Sequence, residues 1–289
     1  WDIKNEEGKY DYSNSEDVEE QFRKHLEQSV RLRFRSDVPV GINLSSGLDS
    51  NALFSCAKQV TGNDIHLFSM CSDNPDYNEC EMIDSYLSDE EKKLWYRSNF
   101  SQSEFLDAIS QMNIVQDQPF GGMPTLVYNN LNKLAQNKQV TVLLEGQGVD
   151  ELLAGYKYYR IEFIKDLWRE KKWSQLFAYV RNQNSGSFLH NLRQVTQQRN
   201  LSSQTYSQDS TLLVHSELLN KELLNIVPEP EFETPFSSHL LNAQYRDLRY
   251  TKLPRVLRFN DHVSMRYGRE LREPFLDHNL RSEEPMSEL

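Results

Sequence analysis

The chain has no apolar stretch approaching the roughly 20 residues that a membrane-spanning helix needs. Positive charge is in short supply. The 32 Lys and Arg stand against 43 Asp and Glu, for a formal net charge of -11. That balance disfavours nucleic acid and anionic membranes as partners. Cysteine is scarce too: Cys56, Cys71 and Cys80 show no metal-ligand spacing. They read as free thiols of a reducing cytoplasm, with a Cys71–Cys80 pair as the alternative. The seven histidines are scattered, none at zinc spacing. No secretory signal stands at the N-terminus. The chain opens on Trp1 rather than Met, as a piece of a longer protein would. These absences leave a cytoplasmic enzyme as the expectation, with one large domain or two smaller ones.

Two segments carry chemistry. In the first, Val38–Leu44 is an apolar run of strand type, followed by Ser45-Ser46-Gly47-Leu48-Asp49-Ser50 and then by the helix-like Asn51-Ala-Leu-Phe-Ser-Cys-Ala. A strand, a small-residue loop and a helix N-terminus aim backbone N–H groups at an anion. Ser45, Ser46 and Ser50 add hydroxyl donors. Asp49 repels phosphate unless a cation stands between them, and magnesium with a nucleotide is the natural cation. The loop lacks the Lys of the common P-loop and the three spaced glycines of the dinucleotide fingerprint. A plain strand-to-helix turn is the other reading of these six residues.

In the second segment, Val140–Leu144 is again a short buried-strand pattern, ending in Glu145-Gly146-Gln147-Gly148-Val149-Asp150-Glu151. An acidic first helical turn explains Asp150 and Glu151, but not the glycines before them. Ligands of open parallel sheets bind beyond the carboxyl ends of the strands. Two such loops could place Asp49 and Asp150 on either side of one metal–phosphate group.

The rest of the pattern alternates strand and helix. A helix is predicted from Ser15, with Phe22, Leu26, Val30 and Phe34 on one face. Further strands are predicted at Ile65–Met70 and Lys93–Arg97, and helices at Ser101–Val115 and Thr125–Gln136. This predicts an α/β fold with a parallel sheet and right-handed crossovers. Three regions are expected: a linker and leading helix over 1–36, a nucleotide-binding core over 37–156, and a helical region over 157–289. Within the last, Asn182–Gln208 reads as a polar loop, and Pro228, Pro230 and Pro235 break helices.

Ser45–Ser50 resembles the pyrophosphate-binding loop of the ATP pyrophosphatase superfamily, usually Ser-Gly-Gly-x-Asp-Ser. Gly146–Glu151 with Gly155-Tyr156 resembles the second signature of glutamine-hydrolysing asparagine synthetases. Leu257–Met265 and Glu270–Asp277 are similar to that family's Asp-Arg-x-Ser-Met and Glu-x-Arg-x-Pro-Phe-Leu-Asp. Asp117-Gln118-Pro119-Phe120 resembles its Asp-Glu-Pro-Phe. The segments occur in the family's order and span most of the chain.

The resemblance implies an ATP pyrophosphatase-like α/β fold and an ATP-dependent carbon–nitrogen ligase. A carboxylate, with aspartate the first candidate, attacks the α-phosphorus of ATP, pyrophosphate leaves, and ammonia converts the acyl-adenylate to an amide and AMP. It implies ATP and Mg²⁺ as cofactors, with Asp49 and Asp150 as metal ligands. Asn43, Leu44, Ser45, Ser46, Gly47, Asp49, Ser50, Met70, Glu145 and Gly146 would hold ATP and pyrophosphate. Gln147, Arg258 and Asp261 would be catalytic, although a buried Arg258–Asp261 ion pair is an equal reading of the last two. Ammonia is expected from a glutaminase domain lying outside this chain, and a homodimer is allowed for. The family's catalytic Lys, beyond Pro-Phe-Leu-Asp, has no match here.

Three positions depart from the family pattern. Ser46 stands where Gly is usual, and an ordinary backbone region accommodates it. Gln147 stands where asparagine-forming relatives often have Glu, and a carboxamide cannot act as a carboxylate base. His262 stands where Arg is usual. Gln147 and His262 favour a different carboxylate acceptor as the alternative function. A nucleotide-binding domain without turnover is the alternative outside enzymology.

Overall fold

The computed structural model describes residues 15–62, 64–72, 78–100, 105–116, 122–182, 231–278 and 280. The described residues up to Val149 and from Arg255 onward form one compact unit, and those from Asp150 to Pro254 form a second.

The first unit is built on five parallel strands in the order β3-β2-β1-β4-β5. They are β1 (Val40–Asn43), β2 (His66–Ser72), β3 (Trp95–Phe100), β4 (Val142–Leu144) and β5 (Glu270–Arg272). The expected α/β parallel sheet is therefore present. Four strands fall where the hydrophobic runs put them, within a few residues. β5 was not expected. Its three residues carry two charges and a burial pattern of exposed and half-buried positions, so no apolar run announces it. Its pairing with β4 alone makes it a strand, at the sheet's edge.

Helices cover the sheet. Helix α1 (Ser15–Arg33) has acids in its first turn and bases in its last, matching the helix dipole. Its predicted face is the packed one: Leu26 and Val30 are buried, with Phe22 and Phe34 against the same core. Helix α2 (Leu48–Thr61) buries Leu53, Phe54, Cys56 and Ala57 there. On the opposite face of the sheet's central strands, Phe68, Val140 and Leu143 pack with Leu131 and Ala135 of helix α6 (Met123–Asn137). Between them lie α3 (Cys80–Tyr86), α4 (Asp89–Lys93) and α5 (Phe105–Gln116). Ser88 and Glu91 form a reciprocal capping box at the start of α4.

The Pro274–Leu276 turn after β5 is fastened to α1. Ser29 Oγ donates to the Pro274 carbonyl at 2.6 Å, and Arg33 Nη1 donates to Asp277 Oδ2 at 2.7 Å. Arg272 Nη1 donates back to the carbonyls of Arg33 and Arg35. Asp277, the last residue of the Pro-Phe-Leu-Asp segment, thus anchors the fold.

The free-thiol expectation fails for two of the three cysteines. Cys71, near the end of β2, and Cys80, first in α3, form a disulfide, while Cys56 is free and buried. Their Cα atoms lie 5.4 Å apart, within disulfide reach. Cysteine usage therefore no longer supports a reducing cytoplasm. Among the described residues no helix is long and apolar enough to cross a membrane.

The second unit holds α8 (Tyr159–Arg169), α9 (Trp173–Asn182) and α10 (His239–Arg249). Asp166 of α8 caps α10, accepting from Ser238 Oγ and from the N–H groups of His239 and Leu240 at 2.6 to 2.9 Å. Tyr158 and Tyr159 both donate their hydroxyls to Asp247 of α10. The chain passes between units within α7 (Val149–Leu152) and within α11 (Lys252–Arg266). The expected 182–208 loop lies largely outside the described residues; Pro228 and Pro230 do so entirely.

Leu53 is fully buried and Leu48, on the same helix, is 84% exposed. Leu53→Ala should lower the unfolding free energy by about 2–5 kcal/mol in urea denaturation, and Leu48→Ala by less than about 0.5 kcal/mol. Equal effects would mean that α2 packs on another face.

Candidate active site

The strand order reverses between β1 and β4. Both neighbours of β1 run parallel to it, so β2 continues the sheet one way and β4 the other. Such a switch point leaves a crevice at the carboxyl ends of the two central strands. The loops entering it are those following Asn43 and Leu144, which are the two segments that stood out in the sequence.

The loop after β1 is organised by its own hydroxyls. Ser50 Oγ accepts from the Ser45 N–H at 3.1 Å and lies 2.9 Å from Ser45 Oγ. Asn51 Nδ2 donates to the carbonyls of Ser45 and Gly47 at 3.0 and 2.7 Å. Gly47 caps α2 with no side-chain cap bond, so the helix N-terminus opens toward the loop. The loop is thus tied by Ser and Asn side chains at its base. Asp49 is half-buried in the first turn of α2.

The loop after β4 lies directly on this turn. An added Cβ on Gly146 would stand 3.1 Å from Asp49 Cβ and 3.3 Å from the Ser50 nitrogen. That is tighter than an ordinary Cβ contact, so a side chain there would need the turn to give by a few tenths of an ångström. Gly148 has φ +93°, and an added Cβ would collide with Leu276 of the Pro274–Leu276 turn. The glycines that helix-dipole reasoning left unexplained are therefore packing requirements of this loop.

Glu145, between the strand and the glycines, is buried. Asn43 Nδ2 donates to Glu145 Oε1 at 2.6 Å, and Asn260 Nδ2 of α11 donates to Oε2 at 3.1 Å. The sequence pointed to neither bond, because both partners are over 100 residues away. Beside it at the end of β5 stands Glu273, since the Glu145 N–H donates to the Arg272 carbonyl at 3.1 Å. Gln147 Nε2 donates to the buried Tyr128 hydroxyl at 2.7 Å. Tyr128 and Glu273 were not among the predicted site residues. Tyr128 sits inside an ordinary-looking helix pattern. Glu273 occupies the variable position of its motif.

Burial pushes the Glu145 carboxyl up from its ordinary 4.5 to about 7, against the two Asn bonds that favour its charged form. Burial, with the Glu145 charge, raises Glu273 as well. Two acids at adjacent strand ends thus favour holding a proton at neutral pH.

The remaining predicted residues fall as follows. Leu44 is buried directly after β1, where its N–H donates to the Phe68 carbonyl and its carbonyl accepts from Ser69 Oγ. Met70 is half-buried near the end of β2. Arg258 and Asp261 of α11 are both exposed, which removes the buried ion pair as a reading. Asn260, between them, takes the inward place. Asp150 and Glu151 lie in α7, and Glu151 accepts from Tyr156 Oη at 2.9 Å. An added Cβ on Gly155 would collide with Asp150 Oδ1, so glycine there leaves that carboxylate its room. Asp117–Phe120 lies outside the described residues. Among the described residues no group of three or more His, Cys, Asp or Glu could hold a metal ion. Asp49 and Asp150 offer hard carboxylate oxygens of the kind magnesium takes alongside phosphate oxygens.

A family model described as asparagine synthase matches residues 21–282. A protein assigned as a second glutamine-hydrolyzing asparagine synthetase of Methanocaldococcus jannaschii is 34% identical over 156 residues, 51% of this chain and 29% of that protein. Asparagine synthetase 1 (glutamine-hydrolyzing) of Bacillus subtilis is 30% identical over 142 residues, 48% of this chain and 21% of the relative. The Zea mays asparagine synthetase (glutamine-hydrolyzing) is 25% identical over 178 residues, 55% of this chain and 29% of the relative. The matches thus span less than a third of each relative's length.

The raised Glu145 fixes the sign of a pH effect. From about pH 4.5 to about 7 the folded chain keeps a proton that the unfolded chain has lost. Stability contributed by this site is therefore complete below the unfolded value and drains away as pH rises through the folded one. Glu145→Gln should flatten that fall in a series of urea denaturations across this range. An unchanged slope would assign the proton elsewhere.

Proposed function

The chain belongs to the asparagine synthase family, and on that footing we propose that it is the amide-forming synthetase part of an ATP-dependent carbon–nitrogen ligase. A carboxylate would displace pyrophosphate from ATP, and ammonia would then displace AMP. The observation that carries this reading is the contact of Gly146 with the Asp49–Ser50 turn at the sheet's switch point. It brings a hydroxyl-lined helix N-terminus and a second acidic loop to one crevice.

In this reading the N–H groups of Ser46 and Gly47 and the hydroxyls of Ser45 and Ser50 receive the β- and γ-phosphates. Charge builds there as the bond to the α-phosphorus breaks, and donors already in place stabilise it. Asp49 and Asp150 would hold Mg²⁺, whose positive charge offsets that of the leaving pyrophosphate. Asn43, Leu44, Met70, Glu145 and Gly146 would frame the adenosine, largely through main-chain groups. Arg258 and Asp261, being exposed, remain available to the acyl substrate.

Aspartate is the first candidate acceptor, with ammonia supplied by a glutaminase domain. A second reading, a related ligase acting on a different carboxylate, is favoured by Gln147. Its amide is committed to Tyr128 and cannot accept a proton as a carboxylate would.

Pyrophosphate release with Mg-ATP, ammonium and a panel of carboxylic acids separates the readings. Release with aspartate alone supports the first. Release with another acid but not aspartate supports the second. Asp49→Asn should reduce release roughly 100-fold or more, the scale of losing a main stabiliser of developing charge, with the urea midpoint unchanged. Full turnover by that variant would reject the assigned metal ligand.

A further inference from the structure

One donor of the phosphate loop is already taken by an acid. Glu79 Oε2 accepts from the Ser46 N–H at 3.0 Å. Ser46 is the second residue of the Ser45–Ser50 loop, so a carboxylate oxygen occupies a place suited to a phosphate oxygen. An N–H has one proton, and two anions cannot both have it at full strength. Their like charges also repel at this range.

Glu79 does not hang from a free loop. It caps α3, where its carbonyl accepts from the Ile83 N–H at 3.1 Å, and Ile83 is fully buried in the main core. The next residue, Cys80, is bonded to Cys71. Cys71 is locked in the sheet opposite Asn99 of β3, one residue beyond Met70. The disulfide therefore ties the residue next to Glu79 to a strand of the sheet.

We propose that Glu79 is a redox-held gate on the phosphate site: the Cys71–Cys80 disulfide keeps its carboxylate on the Ser46 N–H, and reduction frees it to yield to the phosphates of Mg-ATP. This goes beyond the synthetase reading but rests on the same nucleotide site. The chemistry is thiol–disulfide exchange. A thiolate of an external dithiol attacks one sulfur and forms a mixed disulfide. Its second thiol then closes on the first. Two electrons and two protons pass to the chain as the Cys71 and Cys80 thiols, and the reductant leaves as a cyclic disulfide. Both cysteines are nearly buried, at 9% and 7% exposure, so a small dithiol is the suitable probe.

The test is calorimetric titration of Mg-ATP into the protein before and after treatment with dithiothreitol. Alkylation of the unfolded chain counts thiols: one is expected before reduction and three after. Reduction should tighten Mg-ATP binding about tenfold or more, the scale of one charge-assisted hydrogen bond. Glu79→Ala should bind as tightly when oxidised as the parent does when reduced, and lose its response to the dithiol. Cys80→Ser should match the reduced parent without treatment. Equal affinity in the two redox states would overturn the gate. So would three thiols before reduction. Weaker binding by Glu79→Ala in both states would also overturn it, because the carboxylate would then be supporting the loop. Absence of Mg-ATP binding in every form, reduced parent included, would instead reject the nucleotide site itself and the gate with it.

Discussion

The close seating of two loops at the sheet's switch point is the constraint on which the site depends. Gly146 lies against the Asp49–Ser50 turn, closer than an ordinary Cβ contact allows. Three things must hold for that contact to exist. β1 and β4 must be adjacent and parallel, with Ile42 opposite Leu144. The β1 loop must be tied at its base, as Ser45, Ser50 and Asn51 tie it. The segment after Gly146 must bend through a left-handed residue, as Gly148 does over Leu276. A larger residue at Gly146 would press on the Asp49–Ser50 turn, and one at Gly148 would meet Leu276 and a left-handed backbone.

Below that contact lies a polar layer where an apolar core would be simpler. Asn43, Glu145, Asn260 and Glu273 gather at the carboxyl ends of β1, β4 and β5 or on the helix above. Burying a carboxyl costs free energy, and a shifted protonation equilibrium is how that cost is contained. The layer couples three distant stretches of chain, so the loop following β4 is positioned by residues from both ends of the first unit. Tyr128 extends the same layer to Gln147. This gives the substitution at Gln147 a structural meaning, since the carboxamide can donate to a hydroxyl where a carboxylate could only accept.

The Glu-x-Arg-x-Pro-Phe-Leu-Asp segment shows how one motif serves several ends. Arg272 and Asp277 reach back to α1 and its C-terminal end, Leu276 seats Gly148, and Glu273 faces the buried acid layer. In the sequence the segment marks a family resemblance without showing what each of its residues does. Here much of that charge holds the sheet's edge strand to the first helix.

The parallel α/β class, four of the sheet's five strands and both loops at its rim were legible in the sequence. Those features are written in local patterns: apolar runs of strand length, small residues between strand and helix, and amphipathic spacing along α1. The rest came from packing between elements. β5 is a strand only because β4 offers it hydrogen bonds. The Cys71–Cys80 disulfide exists because the end of β2 and the start of α3 lie within disulfide reach. Asn260 and Tyr128 join the site because distant helices bring them there, and Arg258 and Asp261 are exposed because α11 turns Asn260 inward. Local spacing encodes which element a residue belongs to; which side chains meet depends on how those elements pack, and neighbouring residues carry no trace of that.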